Sequence, residues 1–220
     1  RALPADGTVI TLEADPKHFA VAAANVARAG LTDIVINVSP HAGLMEATLG
    51  DGSRFGVTLR YSREDTPLET AGGIATALPL LREGPVVIVS GDVWSDFDYA
   101  TLLPRAQRMA RDPSAPRAHL VMVDNPAYHP AGDFVLDGER IALDGAPRLT
   151  YGNISLHHTA LFAELPRRTP IKLLPLWRDW IAHGLISGER YRGRWSNVGT
   201  PADLAQLDAL LLASPSPGIP

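Results

Sequence analysis

The chain has 220 residues, 45% of them hydrophobic and 20% charged, enough for one well-buried core and a single domain over 1–220. A net charge of −4 argues against nucleic acid as a partner, and the absence of cysteine removes disulfides, a thiolate nucleophile and zinc-thiolate sites. No apolar run approaches the roughly 20 residues that span a bilayer and no signal-peptide pattern opens the chain, so a cytoplasmic protein with no membrane partner is expected.

Short β-branched runs alternate with longer helical stretches, the pattern of an α/β protein with a mainly parallel sheet. Residues 8–13 (TVITLE) read as a strand. Asp15 and Pro16 then open a helix that Gly30 closes. Strands follow at 33–38 and 57–61, with a short helix at 44–49 between them, stopped by a Gly50-Asp51-Gly52 turn. A helix is expected over 72–81. Residues 85–90 (PVVIVS) are almost wholly apolar, as a central parallel strand covered on both faces must be. A helix at 99–111 and a strand at 119–123 come next. Segments 134–141 and 148–155 read as a pair of antiparallel strands. Two late helices, at 172–183 and 201–212, flank segment 193–198, and the tail from 213 to 220 is expected to fray.

Three stretches can carry chemistry. In VVIVSGDVWSD (86–96) an apolar strand ends in Ser-Gly-Asp, which puts Asp92 at the carboxyl edge of the sheet, where open α/β folds bind ligands. Gly91 leaves room for close approach, and a carboxylate there suits Mg²⁺, although a strand-end Asp that caps a turn fits the same pattern. In YSREDTPLETAGGI (61–74) small residues open a helix, whose free N–H groups can meet a flat base or an anion. A structural turn explains the glycine pair equally well. In RWSNVGT (194–200) Asn197 offers an amide oxygen, and Gly199-Thr200 make a tight turn before Pro201, which also fits a plain helix cap. The histidines lack metal-site spacing. His157 and His158 are adjacent and point to opposite strand faces, and solvated or capping roles are expected for the histidines. Trp177 and Trp180, three apart on a helix, read as core or interface.

Taken in order, AGLTDIVIN, LGDGSRFGV, YSRED-PLETAGGI, SGDVWSDFD, DNPAYHPAGDF, YGNISL and WSNVGTPADL resemble the sugar-1-phosphate nucleotidyltransferase family over about residues 29–212. The similarity is greatest to the branch that acts on N-acetylmuramic acid 1-phosphate with UTP in cell-wall (peptidoglycan) recycling. The resemblance implies a Rossmann-like three-layer sandwich with a mainly parallel mixed sheet, Mg²⁺ as cofactor, and UTP and a sugar 1-phosphate as substrates. It also implies residue roles. Glu64, Leu68, Glu69, Thr70, Gly72 and Gly91 would meet the nucleotide. Gly152, Asn153, Asp133 and Thr200 would face the sugar, with the DNPAYHPAGDF loop shaping its pocket. Asp92 and Lys172 would be catalytic, and Asp92 with Asn197 would hold the metal. Asn197 stands where many relatives carry a second aspartate, so one of the two metal-site charges is missing.

One departure is large. Relatives open with a strand and a glycine-rich loop, GxGxRxxPLTxxxPKPLxP, whose amides cradle the triphosphate. Residues 1–30 instead resemble part of a class I S-adenosylmethionine-dependent O-methyltransferase, with Glu13 where that family holds the cofactor ribose. The seam falls near Ala29-Gly30-Leu31. Strand 8–13 and the helix after it would stand in for the family's own first strand and helix, keeping a right-handed βαβ unit. Impaired transferase activity is therefore expected. A non-catalytic nucleotide- or sugar-phosphate-binding domain is the alternative, and a methyltransferase fragment a further one.

Overall fold

The structure is a computed structural model that describes residues 8–12, 30–39 and 42–213, with side chains from residue 30 onward. The helix expected after residue 15, Glu13 and the tail beyond residue 213 lie outside the described residues.

Four strands form the parallel half of the main sheet: β1 (Thr8–Leu12), β2 (Asp33–Val38), β3 (Thr58–Arg63) and β4 (Pro85–Ser90). β1 sits between β2 and β4 and pairs parallel with both, Val9 lying opposite Ile34 and Val87. The atypical N-terminal segment thus supplies an interior strand of the sheet. Next to β4 runs β9 (Arg148–His158), antiparallel to it, followed by β6 (Ala118–Val123) and β10 (Ile186–Arg190), which pair parallel with each other. The hairpin of β7 (Phe134–Asp137) and β8 (Arg140–Ala142) closes the far edge, giving the order β3-β2-β1-β4-β9-β6-β10-β8-β7. A separate ribbon pairs β5 (Val93–Ser95) with β11 (Trp195–Asn197).

Side-chain alternation along the strands builds two cores. Val87 and Val89 of β4 face one side, with Ile34, Ile36 and Val121, under α1 (Ala42–Leu49) and α3 (Leu103–Arg111). Val86 and Ile88 face the other, with Leu120 and Met122, under α2 (Glu69–Ala77) and α4 (Leu173–Ala182). Both faces of the sheet are covered, the three-layer arrangement expected of near-continuous apolar strands. A last helix, α5 (Pro201–Ala213), buries Leu207 and exposes Leu210 and Leu212. Among the described residues no helix is long and apolar enough to cross a membrane.

The structure corrects several expectations. α2 begins at Glu69 rather than 72 and gives way to a 3-10 turn at Leu78–Leu80, where Pro79 sits at the turn's start. The helix expected over 99–111 divides at Leu102–Leu103 into a 3-10 turn, capped by the Asp98 carboxylate, and α3, with Pro104 in its first turn. β9 does pair antiparallel with the 134–141 segment, as expected, but only briefly. It meets β7 only at Phe134–Leu149 and Val135–Arg148, and otherwise runs through the centre of the sheet between β4 and β6.

His157 overturns the solvated role expected for it. Its ring is fully buried, and Nε2 accepts a hydrogen bond from the Trp177 indole at 3.1 Å. His158 does cap, accepting from the amide of Ala160 at 3.1 Å. Burial lowers the His157 pKa from 6.5 to about 3. Above pH 6.5 neither the folded nor the unfolded form carries the proton. Below it the unfolded chain protonates and the folded one does not, so stability falls as pH drops from 6.5 toward 3, by up to ~1.4 kcal/mol per unit. The urea midpoint is expected to fall between pH 6.5 and 5, and His157→Gln, which keeps an acceptor for Trp177, to flatten that slope. His158, its pKa also lowered by partial burial, remains in both proteins as a common background. Equal slopes in the two proteins would contradict the assignment.

Candidate active site

β4 delivers Gly91 and Asp92 to the carboxyl edge of the parallel strands, as its apolar run implies. The chain then turns into β5, and the β5–β11 ribbon sets Asn197 opposite Val93. The amide of Val198 donates to the Asp92 carbonyl at 2.6 Å. With its side-chain nitrogen directed at Asp92, the orientation that matches donor to acceptor, Asn197 donates to Asp92 Oδ2 at 3.0 Å. The two residues assigned to the metal therefore touch. Among the described residues no three His, Cys, Asp or Glu side chains group into a metal site. A cation here would rest on one carboxylate, the amide oxygen of a reoriented Asn197, water and substrate oxygens, a donor set that Mg²⁺ accepts.

The ribbon is locked from behind. Asp96 accepts from the Arg194 amide at 2.8 Å and from Arg194 Nε at 3.0 Å, and also from the Tyr191 hydroxyl. The Arg194 guanidinium lies 5.3 Å from the Trp94 ring centroid. These contacts fix the strand that carries Trp195 and Asn197.

Beside this pair opens a cavity of about 310 Å³. Asp133, Asn153 and Asn197 line it, together with Tyr128, Trp177 and Trp195. Asn153 reaches it through an irregularity in β9. Between the Leu120–Ser155 and Met122–Tyr151 pairs the register shifts, and Asn153 takes a left-handed φ of 56°. The Trp195 indole donates to the Gly152 carbonyl at 2.8 Å, tying the ribbon to that bulge. A Cβ at Gly152 would lie 3.0 Å from Val123 and 3.1 Å from the Val121 carbonyl, so a side chain here would press on the sheet. Asp133 is held by the Tyr151 amide at 2.8 Å and by His129 Nε2 at 3.1 Å. Tyr128, His129 and Asp133 show that the DNPAYHPAGDF loop walls the cavity. Thr200 is not among the lining residues. Its hydroxyl caps α5, donating to Asp203 at 2.8 Å and accepting from the Asp203 amide at 3.2 Å, the plain cap that its spacing also allowed.

The other assigned cluster gathers at the start of α2. Glu64 accepts from Asn37 at 3.0 Å and from the Leu68 amide at 3.1 Å, folding the loop back on itself. Leu68 is buried, and its carbonyl receives the Ile171 amide at 2.9 Å. The Ile171 carbonyl in turn takes the amides of Ala71 and Gly72, at 3.0 and 3.2 Å, so these two N–H groups are not open to a ligand. Gly72 presses against the Thr169 carbonyl. A Cβ at Gly73 would lie 2.7 Å from Glu64 Oε1. The glycine pair is thus explained by close packing. Glu69 starts the helix at φ 59° and is exposed, while Thr70 is half-buried behind it. A non-glycine residue in this conformation costs about 1–3 kcal/mol, and such strain gathers at functional sites. Lys172, exposed, follows Ile171 and precedes Leu174, which lines the cavity. In sequence it stands between the two clusters.

The composition of the site explains what the sequence missed. The DNPAYHPAGDF loop was expected to shape the sugar pocket, but Tyr128 and His129 within it, and Trp195 beside Asn197, were not singled out. Their shared cavity exists only once β9, the loop and the ribbon come together.

A family profile described as "Nucleotidyl transferase" matches residues 10–128, beginning inside β1. The methyltransferase resemblance of residues 1–30 thereby gains no support. The chain is 37% identical over 187 residues to the N-acetylmuramate alpha-1-phosphate uridylyltransferase of Neisseria meningitidis, covering 83% of this chain and 80% of that protein. It is 32% identical to the enzyme of the same name from Caulobacter vibrioides, covering 79% of this chain and 75% of that one. Among solved structures, a putative glucose-1-phosphate thymidylyltransferase from Bacillus anthracis superposes with a TM-score of 0.75 at 16% identity, covering 93% and 94% of the two chains. The inositol-1-phosphate CTP transferase of T. maritima does so with a TM-score of 0.71 at 15% identity, over 99% of each chain. With the Asp92–Asn197 pair at the sheet's carboxyl edge and this coverage by relatives, the chain belongs to the sugar-1-phosphate nucleotidyltransferase family and has the nucleotide-diphospho-sugar transferase fold.

Proposed function

We propose that the chain binds UTP and N-acetylmuramic acid 1-phosphate with Mg²⁺, serves cell-wall recycling, and turns over slowly. The Asp92–Asn197 pair beside a sugar-sized cavity carries this reading, and the names of the relatives from Neisseria meningitidis and Caulobacter vibrioides support the choice of UTP and sugar. In the reaction an oxygen of the sugar phosphate attacks the α-phosphorus of UTP. A new P–O bond forms, the bond to the β-phosphate breaks, and pyrophosphate leaves.

Both reactants are anions, so the protein's task is alignment and charge neutralisation. Mg²⁺, when bound, draws charge from the phosphate oxygens. Asp92 and Asn197 hold that end of the site, and Lys172 meets the sugar phosphate. Asp133 and Asn153 orient the sugar hydroxyls, and the Glu64–Thr70 loop receives the base and ribose.

Slow turnover follows from what comes after β1. Residues 13–29, EADPKHFAVAAANVARA, hold no glycine and none of the family's paired phosphate-binding arginine and lysine spacing. Losing one preorganised charge contact costs about 10²–10³ in rate, and several are lost together here. Pyrophosphate release from UTP and N-acetylmuramic acid 1-phosphate is expected to run at least about 10²-fold below that of the Neisseria relative. Equal rates would remove the claim of impairment. A chain that binds both substrates with no turnover would instead be the non-catalytic binding domain that the altered segment after β1 also favours.

A further inference from the structure

Two exposed apolar side chains stand on the lip of the cavity. Tyr128 is 68% and Leu174 46% exposed, and they line it from separate elements, the 124–133 loop and the first turn of α4. Exposed apolar residues scattered singly need no explanation, but a pair on the rim of one concave site marks a place where a ligand is covered.

The loop is anchored at its base. Asn125 donates to the carbonyls of Pro130 and Arg148, each at 3.0 Å, and accepts from Thr150 Oγ1 at 2.9 Å. His129 pairs with Asp133. Pro126 and Pro130 restrict the backbone on either side of the tip. The Tyr128 ring is therefore presented at the cavity mouth without being packed into the protein. Burial and then the charges of Asp203 and Asp92 raise its pKa.

The cavity's 310 Å³ is at the small end of ligand sites, which run from about 300 to 1,000 Å³, so it suits one pyranose rather than a whole nucleotide sugar. Its polar floor, Asp133 and Asn153, matches hydroxyls. Its aromatic rim matches the C–H face of the same ring.

We propose that Tyr128 is a specificity-determining residue that closes over the pyranose ring of the bound sugar 1-phosphate, its phenol ring on the C–H face. This inference rests on the function proposed above.

Calorimetric titration of the full chain with N-acetylmuramic acid 1-phosphate and Mg²⁺, in wild type, Tyr128→Ala and Tyr128→Phe, tests it. Tyr128→Ala is expected to weaken sugar-phosphate binding about tenfold, the equivalent of about 1.4 kcal/mol. Tyr128→Phe retains the ring and stays within about threefold of wild type, since one hydrogen bond contributes modestly. UTP affinity and melting temperature hold steady in both, because the side chain is exposed and no residue of the Glu64–Thr70 loop lines the cavity it stands on. Unchanged sugar-phosphate binding in Tyr128→Ala would overturn the assignment and leave the proposed function standing. Wild type that binds UTP but no sugar 1-phosphate would overturn it together with the sugar half of that function. Wild type that binds neither would overturn both readings entirely.

Discussion

Asp92→Asn is expected to weaken Mg²⁺-dependent UTP binding by about 10²-fold or more, because it removes the single carboxylate of the metal pair. The substitution preserves shape. An asparagine at this position still accepts from Asn197, whose nitrogen lies 3.0 Å from Asp92 Oδ2, and the 2.6 Å bond from the Val198 amide involves only the backbone. Folding should therefore survive, with a melting temperature within a few degrees of wild type. A Mg²⁺ titration at fixed UTP separates loss of cation from loss of nucleotide. A variant that needs no more Mg²⁺ than wild type would show that Asp92 only caps its turn. The converse change, Asn197→Asp, restores the charge that many relatives carry and should tighten the cation requirement.

Trp177→Ala should be the most damaging single truncation in the second core. The side chain is 5% exposed and meets Tyr151 edge-on at a centroid distance of 4.7 Å, Phe134 at 6.0 Å, and the stacked ring of His157 at 6.0 Å. Removing a buried tryptophan costs about 3–5 kcal/mol through lost contacts and the residual cavity. A further ~1–2 kcal/mol follows because the indole donates to His157 Nε2, and His157 Nδ1 has no hydrogen-bond partner among the described residues. After truncation both ring nitrogens are buried and unpaired. For a domain of this size the melting temperature should fall by roughly 10–20 °C. Trp177→Phe, which restores most of the ring, should recover more than half of the loss. Because Trp177 also lines the cavity, sugar-phosphate binding should weaken in the alanine variant even at temperatures where it is folded.

The apolar strands were legible in the sequence because period and composition decide them locally. DIVINV and PVVIVS became β2 and β4 at the expected bounds, and their alternation gave both cores. What is set by distant partners was not legible. β10 (ISGER) has too mixed a composition to read as a strand, yet it pairs with β6 because it buries Ile186 and leaves room at Gly188 for Ile141. β9 read only as the antiparallel partner of segment 134–141, which it meets at two residue pairs, whereas its main partners lie some 30 to 70 residues away in β6 and β4.

The candidate site divides the same way. Asp92, Asn197, Asp133 and Asn153 were legible from motif order and do converge on one edge of the fold. Gly72 and Thr200 were assigned to ligands, and the structure gives each a local task, close packing against Thr169 and capping of α5. The loop that carries Tyr128 was assigned to the sugar pocket as a whole, but neither Tyr128 nor Trp195 was named, because an aromatic residue in a loop or short strand has no signature until the opposite wall of the cavity is known.

The most direct test of the account is calorimetric titration of the purified chain with UTP and Mg²⁺, beside a titration with S-adenosylmethionine. The account predicts Mg²⁺-dependent UTP binding with no uptake of S-adenosylmethionine, since the Glu64–Thr70 loop and the Asp92–Asn197 pair are both in place. Absence of UTP binding, or binding of S-adenosylmethionine in its stead, would contradict it.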